Sequence, residues 1–315
     1  GMMNIAELTM GRIAYRIIGN KSNSCLVIET AMGASCAEWW HLAEKWSKKY
    51  CVLVYDRAGY GRSEISKQSR TPENIAKELN ELLRALDINK TILLGHSIGG
   101  LYVYQFTRLF PEKVRSLILV DPVSPDNLRF RKELSKQEFQ KSGVDKSLNL
   151  KIGYFLCSLG LGRLFKSLLK KSPPFYYYNE FSKEAEKYIL NHLTNKNMYK
   201  TLIKEYSFIE NDKILKNLEI IPESIHIPLY LICHTSEIMK KEIEYYENTD
   251  DKTSTKIENL WVEIMREYLK LSNKSNFIQA RNSGHSIHLT DPEIIWNVIE
   301  SAASSPDHKD PVSAQ

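Results

Sequence analysis

The segment TILLGHSIGG at residues 91–100 constrains the fold more than any other part of the sequence. A short apolar run at 91–94 leads into Gly95-His96-Ser97-Ile98-Gly99, and residues 98–109 then read as a helix. A turn this sharp between strand and helix holds Ser97 in a strained backbone conformation. It leaves no room for side chains at Gly95 and Gly99, which would collide with neighbouring backbone. The serine oxygen is thereby lifted over the C-terminal edge of a sheet. The helix N-terminus beneath it favours developing negative charge. The expectation is a nucleophilic Ser97 on a strand of a parallel sheet.

The sequence around this turn alternates between two periodicities. Residues 12–18 (RIAYRII) alternate polar and apolar, as a half-buried strand does. The runs at 25–28 (CLVI), 51–55 (CVLVY) and 114–120 (VRSLILV) suit buried strands. Residues 37–49 read as a helix with Trp39, Leu42, Ala43 and Trp46 on one face. Thr71-Pro72-Glu73 starts another, along which Ile75, Leu79, Leu82, Leu83 and Leu86 recur at helical spacing. Strand–helix alternation of this kind implies an α/β protein with a mostly parallel sheet and helices on both faces. The pattern breaks after Pro125. From 126 to about 225 the sequence is helical, rich in Lys and Tyr, and without a strand. Strands return at 227–233 and 276–280, and a final helix begins near Pro292. The expected organisation is a core of residues 2–125 and 227–303, a helical insertion at 126–226, and a disordered polar tail at 304–315. The charged stretch 239–258 reads as an expanded loop after the strand at 227–233.

The chain has 315 residues, long for one compact domain and normal for an α/β domain carrying an insertion. Its net charge of +5 comes from Lys and Arg scattered among Asp and Glu, which argues against a nucleic-acid partner. The longest weakly polar stretch, 152–162, stops at Arg163. A membrane span needs roughly 18–20 apolar residues, so stable membrane insertion is not expected. Gly1 reads as an expression scar before Met2, and no secretory signal follows. Cys25, Cys36, Cys51, Cys157 and Cys233 are scattered and form no Cys-x-x-Cys pair. They read as reduced thiols in a cytoplasmic protein.

A serine nucleophile needs a base. His285, in SGHSIHL at 283–289, combines a Gly-His loop, a preceding strand and a position late in the chain. It would take the proton from Ser97 and return it to the leaving group. His288, three residues on, reads as a packing residue.

Three motifs carry a resemblance to a known family: GHSIG at 95–99, DRAGYGRS at 56–63, and SGH at 283–285 followed by Asp291-Pro292-Glu293. With them the sequence resembles the α/β-hydrolase superfamily over nearly its whole length. It is also similar to a bacterial branch in which a Glu-x-x-x-Gly stretch, here ETAMGAS at 29–35, replaces the usual His-Gly. The region from Trp261 through Leu271-Ser272 to the Ser-Gly-His fits that branch too. The resemblance implies the α/β-hydrolase fold, with a mostly parallel eight-stranded sheet and an inserted helical lid. It implies an oxyanion hole made by the backbone N–H groups of Ile98 and Met32, and a triad acid after one of two strands. Asp121 follows the strand at 114–120. Glu237 follows the strand at 227–233, where His234 and Glu237 stand in for the usual Gly and Asp. Asp121 is the preferred acid and Glu237 the alternative.

The implied activity is ester hydrolysis through an acyl-enzyme on Ser97. Amide or carbon–carbon cleavage, lactone hydrolysis and acyl transfer use the same residues, and a non-catalytic ligand receptor is the reading from a different class. No cofactor or metal is needed, and no ligand cluster is spaced for one. In the insertion, residues 151–165 and the aromatics Phe175, Tyr176, Tyr177 and Tyr178 allow three readings. They could form an acyl pocket, a self-packed lid core, or a surface for weak membrane contact with Lys166, Lys170 and Lys171. No basic residue stands out as a clamp for carboxylate or phosphate. The expected partner is a small, uncharged or lipophilic ester; the sequence specifies no oligomeric state.

Overall fold

The computed structural model describes residues 3–143 and 147–305. Eight strands form one sheet: β1 (Asn4–Leu8), β2 (Gly11–Ile18), β3 (Cys25–Glu29), β4 (Cys51–Tyr55), β5 (Thr91–His96), β6 (Val114–Val120), β7 (Leu229–His234) and β8 (Ser275–Ala280). Their order is β1-β2-β4-β3-β5-β6-β7-β8. β1 and β2 pair antiparallel, β2 pairs antiparallel with β4, and every pairing from there to β8 is parallel. β4, β5 and β7 are buried end to end, which is why their sequences run apolar without polar alternation.

The two-residue period of a strand divides these apolar runs between two cores. Val27, Leu53, Leu93, Leu117 and Leu231 face one side, where helices α2 (Pro72–Ala85) and α3 (Ile98–Leu109) cover them. Leu26, Val52, Leu94, Ile118 and Ile232 face the other, under α1 (Trp40–Trp46) and the Pro292–Ser304 helix. β5 thus lies inside the sheet between β3 and β6, and its C-terminal end carries Ser97. This is the α/β-hydrolase fold.

Three elements differ from the sequence expectation. β1 is an edge strand whose residues, NIAEL, are mostly exposed and offer no apolar run. The helix expected at 37–49 is shorter: a 3-10 turn at Cys36–Trp39 precedes α1, and together they still bury Trp39, Leu42, Ala43 and Trp46. The stretch 239–258 is not a loop. It belongs to two helices, Ser236–Glu247 and Asp251–Tyr268, and Asp250 caps the second by accepting from the Thr253 amide. Ile257, Leu260, Ile264, Met265 and Tyr268 recur along one buried face of that helix, a period obscured by its charged residues.

Between β6 and β7 the described residues form helices joined by turns, with no strand. The Lys183–Leu193 and Lys196–Ile209 helices dock on the loops that follow β3 and β4. His192 donates from Nε2 to the Gly33 carbonyl (2.9 Å) and accepts from the Gly61 amide at Nδ1 (3.0 Å). Tyr188 donates to Asp56. Elsewhere in this region Ile152, Phe155, Leu159, Leu164 and Leu168 are 47–73% exposed, so they do not form a packed core. No single described helix is long and apolar enough to cross a membrane. Lys151–Ser158 and Leu161–Leu169 are so only as a pair, bent by 117°. The expected polar tail lies outside the described residues from 306 onward.

Candidate active site

Ser97 sits between β5 and α3 with φ 58° and ψ −122°. A non-glycine residue in such a conformation costs on the order of 1–3 kcal/mol and persists only where its surroundings enforce it. Here the Ser97 amide donates to Val120 (3.0 Å), and the Ser97 carbonyl accepts from Gly100 (2.9 Å) and Val123 (2.8 Å). The flanking glycines leave room for the turn. A Cβ on Gly95 would lie 2.3 Å from the Gly99 carbonyl oxygen, and one on Gly99 would lie 2.3 Å from that of Glu29.

The hydroxyl of Ser97 lies 2.9 Å from Nε2 of His285, whose Nδ1 lies 2.6 Å from Oδ2 of Asp121. The structure therefore brings together Ser97, His285 and Asp121 from the ends of β5, β8 and β6. Glu237 is exposed in the first turn of the Ser236–Glu247 helix and is not a partner of His285. The His285 loop is pinned from behind. Its carbonyl bonds His96 Nε2 at 2.9 Å, and burial pushes the His96 ring well below the usual imidazole range, so a neutral ring donates there. His288 packs, as expected: it stacks on Trp39 with ring centroids 4.5 Å apart and contacts Glu38 at 3.1 Å.

Asp121 has a second set of partners that the sequence reading missed. Its Oδ1 accepts from the His234 amide (3.0 Å) and its Oδ2 from His234 Nδ1 (2.8 Å). The other nitrogen of that ring, Nε2, lies 2.7 Å from Oε1 of Glu258, and the ring stacks on Trp261 at 3.6 Å. Burial works against charge on His234, but the two carboxylates outweigh it and hold its pKa up to about 10. Burial likewise opposes charge on Asp121, and the His234 cation and two imidazole hydrogen bonds hold its carboxyl well below the usual range. Glu258 and Trp261 stand three apart on one helix, a spacing that puts both on one face. That spacing, with a histidine at the end of β7, was the available signal.

On the other side of Ser97, the register Glu29↔Gly95 sets the loop after β3 beside the turn after β5. Met32 lies in that loop and Ile98 opens α3. No hydrogen bond from either amide is seen among the described residues. The loop is held from below by Arg57, a residue of the 56–63 motif. Its Nη1 donates to Glu29 (2.8 Å) and to the Thr30 carbonyl (2.5 Å). Its Nη2 donates to the Ala31 carbonyl (3.2 Å) and to Glu205 (3.0 Å) on the Lys196–Ile209 helix. Tyr60 and Tyr102 each face the guanidinium at 5.0 Å, Tyr55 donates to Glu29, and Tyr102 donates to Glu205 at 3.1 Å. Burial raises the Glu29 carboxyl, with Arg57 pulling it back. Among the described residues no group of three or more His, Cys, Asp or Glu side chains is arranged to hold a metal ion.

A family model described as the alpha/beta hydrolase fold matches residues 25–146. The uncharacterized protein Rv2715 of Mycobacterium tuberculosis is 31% identical over 159 residues, which is 50% of this chain and 40% of that protein. The chain thus spans about two fifths of that relative's length. The uncharacterized protein YqjL of Bacillus subtilis is 24% identical over 279 residues, covering 88% of this chain and 83% of the relative. The crystal structure of the enol-lactonase from Burkholderia xenovorans LB400 superposes with a TM-score of 0.62 at 15% identity, covering 96% of this chain and all of that one. The strand order, the family match over residues 25–146 and these likenesses agree on the α/β-hydrolase fold.

Proposed function

We propose that the protein is a serine hydrolase of carboxylic esters, or of closely related carbonyl compounds, acting through an acyl-enzyme on Ser97. One observation carries the reading: the hydrogen-bonded line from Ser97 Oγ through His285 to Asp121, at 2.9 and 2.6 Å. His285 Nε2 takes the hydroxyl proton as Oγ attacks the carbonyl carbon. The amides of Ile98 and Met32 meet the oxyanion. Collapse of the intermediate breaks the bond to the alcohol, which leaves with the proton from His285. Water then attacks the acyl carbon and gives a proton to His285; collapse breaks the bond to Ser97 Oγ, which takes that proton back, and the acid leaves. Asp121 keeps the ring in the productive tautomer and stabilises the imidazolium. Glu237 is exposed and has no contact with the His285 ring among the described residues, so it does not share that role in this reading.

Residues 126–226 serve in this reading as a lid, supported by the Lys183–Leu193 and Lys196–Ile209 helices that lie on the loops at 30–35 and 56–63. The substrate is a small uncharged or lipophilic molecule, and a panel of chromogenic esters of varied acyl length would rank its acyl group. The direct test is labelling of the folded protein with a fluorophosphonate, read by mass spectrometry. Ser97 is expected to carry the adduct and Ser97→Ala to carry none. Asp121→Asn is expected to slow labelling by about 10³- to 10⁴-fold, and Glu237→Gln by less than about twofold. The reverse ranking would move the acid to Glu237. No adduct on Ser97 would favour a non-catalytic receptor on this fold.

A further inference from the structure

We infer that His234 and Glu258 are positioning residues that set the basicity of His285 through Asp121, forming a line Ser97–His285–Asp121–His234–Glu258. The inference rests on the serine-hydrolase reading above. Asp121 Oδ2 is shared by two imidazole nitrogens, at 2.6 and 2.8 Å, and Oδ1 is fixed by a backbone amide. The carboxylate therefore has one orientation, and its charge is divided between two rings. Glu258, at 2.7 Å, keeps the far ring protonated, and Trp261 covers its face. A cation 2.8 Å from Asp121 weakens the hold of Asp121 on an imidazolium at His285.

The other groups around this line are few. Glu242 faces the His285 loop, so close that a Cβ on Gly284 would lie 2.2 Å from its Oε1; burial raises its carboxyl, and Tyr177 bonds it. The His96 ring lies 5.1 Å from that of His285 and His288 lies 4.7 Å from His96, and burial keeps both rings neutral. Cys233, next to His234 in β7, is held as a thiol by burial.

The test is the pH dependence of fluorophosphonate labelling at Ser97 in the wild type and in the double variant His234→Gln/Glu258→Gln. Changing both residues removes the cation and its outer carboxylate together, so the net buried charge is unchanged. The acid limb of the profile is expected to move up by about one pH unit and the plateau rate to fall several-fold. Glu258→Asp, which keeps the charge, is expected to keep the wild-type limb. An unmoved limb in a folded double variant overturns the inference, because a purely structural role would not shift it. NMR titration of the His234 ring in the wild type needs no variant: a ring neutral at pH 7.5 also overturns it. If wild-type Ser97 fails to label, the hydrolase reading falls while the His234 titration still reports on the buried pair.

A second inference has separate grounds. From 147 to 171 the sequence holds no acidic residue and five basic ones: Lys151, Arg163, Lys166, Lys170 and Lys171. The same stretch exposes Ile152, Phe155, Leu159, Leu164 and Leu168. Lys170 pairs with Glu186, while Lys151, Arg163 and Lys171 are exposed. The geometry points to this face as a reversible docking surface for an anionic lipid bilayer, with apolar side chains entering the headgroup boundary and basic ones meeting lipid charge. A second copy of the chain fits worse, because a two-fold contact would set like charges against each other. Co-sedimentation with vesicles of phosphatidylglycerol and phosphatidylcholine is expected to fall at least tenfold for Phe155→Ser/Leu164→Ser and for Lys166→Glu/Lys171→Glu. Pure phosphatidylcholine vesicles are expected to bind weakly. Equal binding by the variants, no binding by the wild type, or a patch-dependent dimer in ultracentrifugation would overturn it.

Discussion

Two buried sets of carboxylate, cation and carboxylate flank Ser97. Glu29–Arg57–Glu205 lies beneath the loop that carries Met32, and Asp121–His234–Glu258 lies behind His285. Both are nearly closed to solvent, with side-chain exposures between 0 and 4%. In each, the third member comes from a helix and not from the sheet: Glu205 from the Lys196–Ile209 helix, Glu258 from the Asp251–Tyr268 helix after β7. The cations differ in kind. Arginine keeps its charge at any pH a protein survives, and its fork of donors reaches two carboxylates and two backbone carbonyls at once. It fixes a loop. Histidine has one proton on each nitrogen, spends one on each carboxylate, and can lose its charge. The Met32 side is built to be constant, and the His285 side is built around a group that titrates.

The sharpest way to break this comparison is to remove each cation. Arg57→Met strands two buried carboxylates and detaches the insertion from the loop, and is expected to destabilise the fold by about 3–5 kcal/mol in urea unfolding. A loss below about 1 kcal/mol would mean that Glu29 and Glu205 take up protons and that Arg57 holds nothing in place. The next effect is the pH dependence of stability. The folded pKa of His234, about 10, lies above its ordinary 6.5. Its protonation therefore contributes stability that is complete below about pH 6.5 and lost as pH rises through 10. Asp121 runs the opposite way: its stabilisation is present above its ordinary 3.8 and lost as pH falls toward its depressed folded value. Unfolding free energies at pH 7 and pH 10 should differ in the wild type, and differ much less in His234→Gln/Glu258→Gln. An equal difference in the two proteins would place the alkaline loss elsewhere.

The two sides also differ in how far they could be read from sequence. Ser97 and His285 each sit in a short segment whose glycines and flanking strand mark the turn, so local pattern singled out both. Asp121 could be narrowed only to one of two strand ends, because choosing between it and Glu237 requires knowing which carboxylate faces the ring. The His234 partnership joins residues 113 and 24 positions apart, and the Arg57–Glu205 bond spans 148. Neither leaves a periodic trace. The parallel strands β3 to β7 were legible because burial on both faces demands unbroken apolar runs. β1 was not, since an exposed edge demands nothing of the kind. The helices at 236–268 were hidden because their buried face is narrow and their charged faces dominate composition.

The smallest expected effect tests whether the arginine side is as indifferent to pH as its chemistry implies. Tyr102 donates to Glu205 Oε1 at 3.1 Å, and its ring faces Arg57 at 5.0 Å. Tyr102→Phe keeps the ring and removes only the donor. Glu205 retains both bonds from Arg57, so it is not left unpaired. The expected loss is one buried hydrogen bond to a charged acceptor, about 1–2 kcal/mol. Burial raises the Tyr102 phenol well above its ordinary value, so it does not ionise in the folded protein by pH 10. The difference between Tyr102→Phe and wild type should therefore stay the same at pH 7 and at pH 9, a range over which His234 begins to lose its proton. A difference that grows or shrinks across that range would make the arginine set titratable as well. The distinction between a constant Met32 side and a titrating His285 side would then fail.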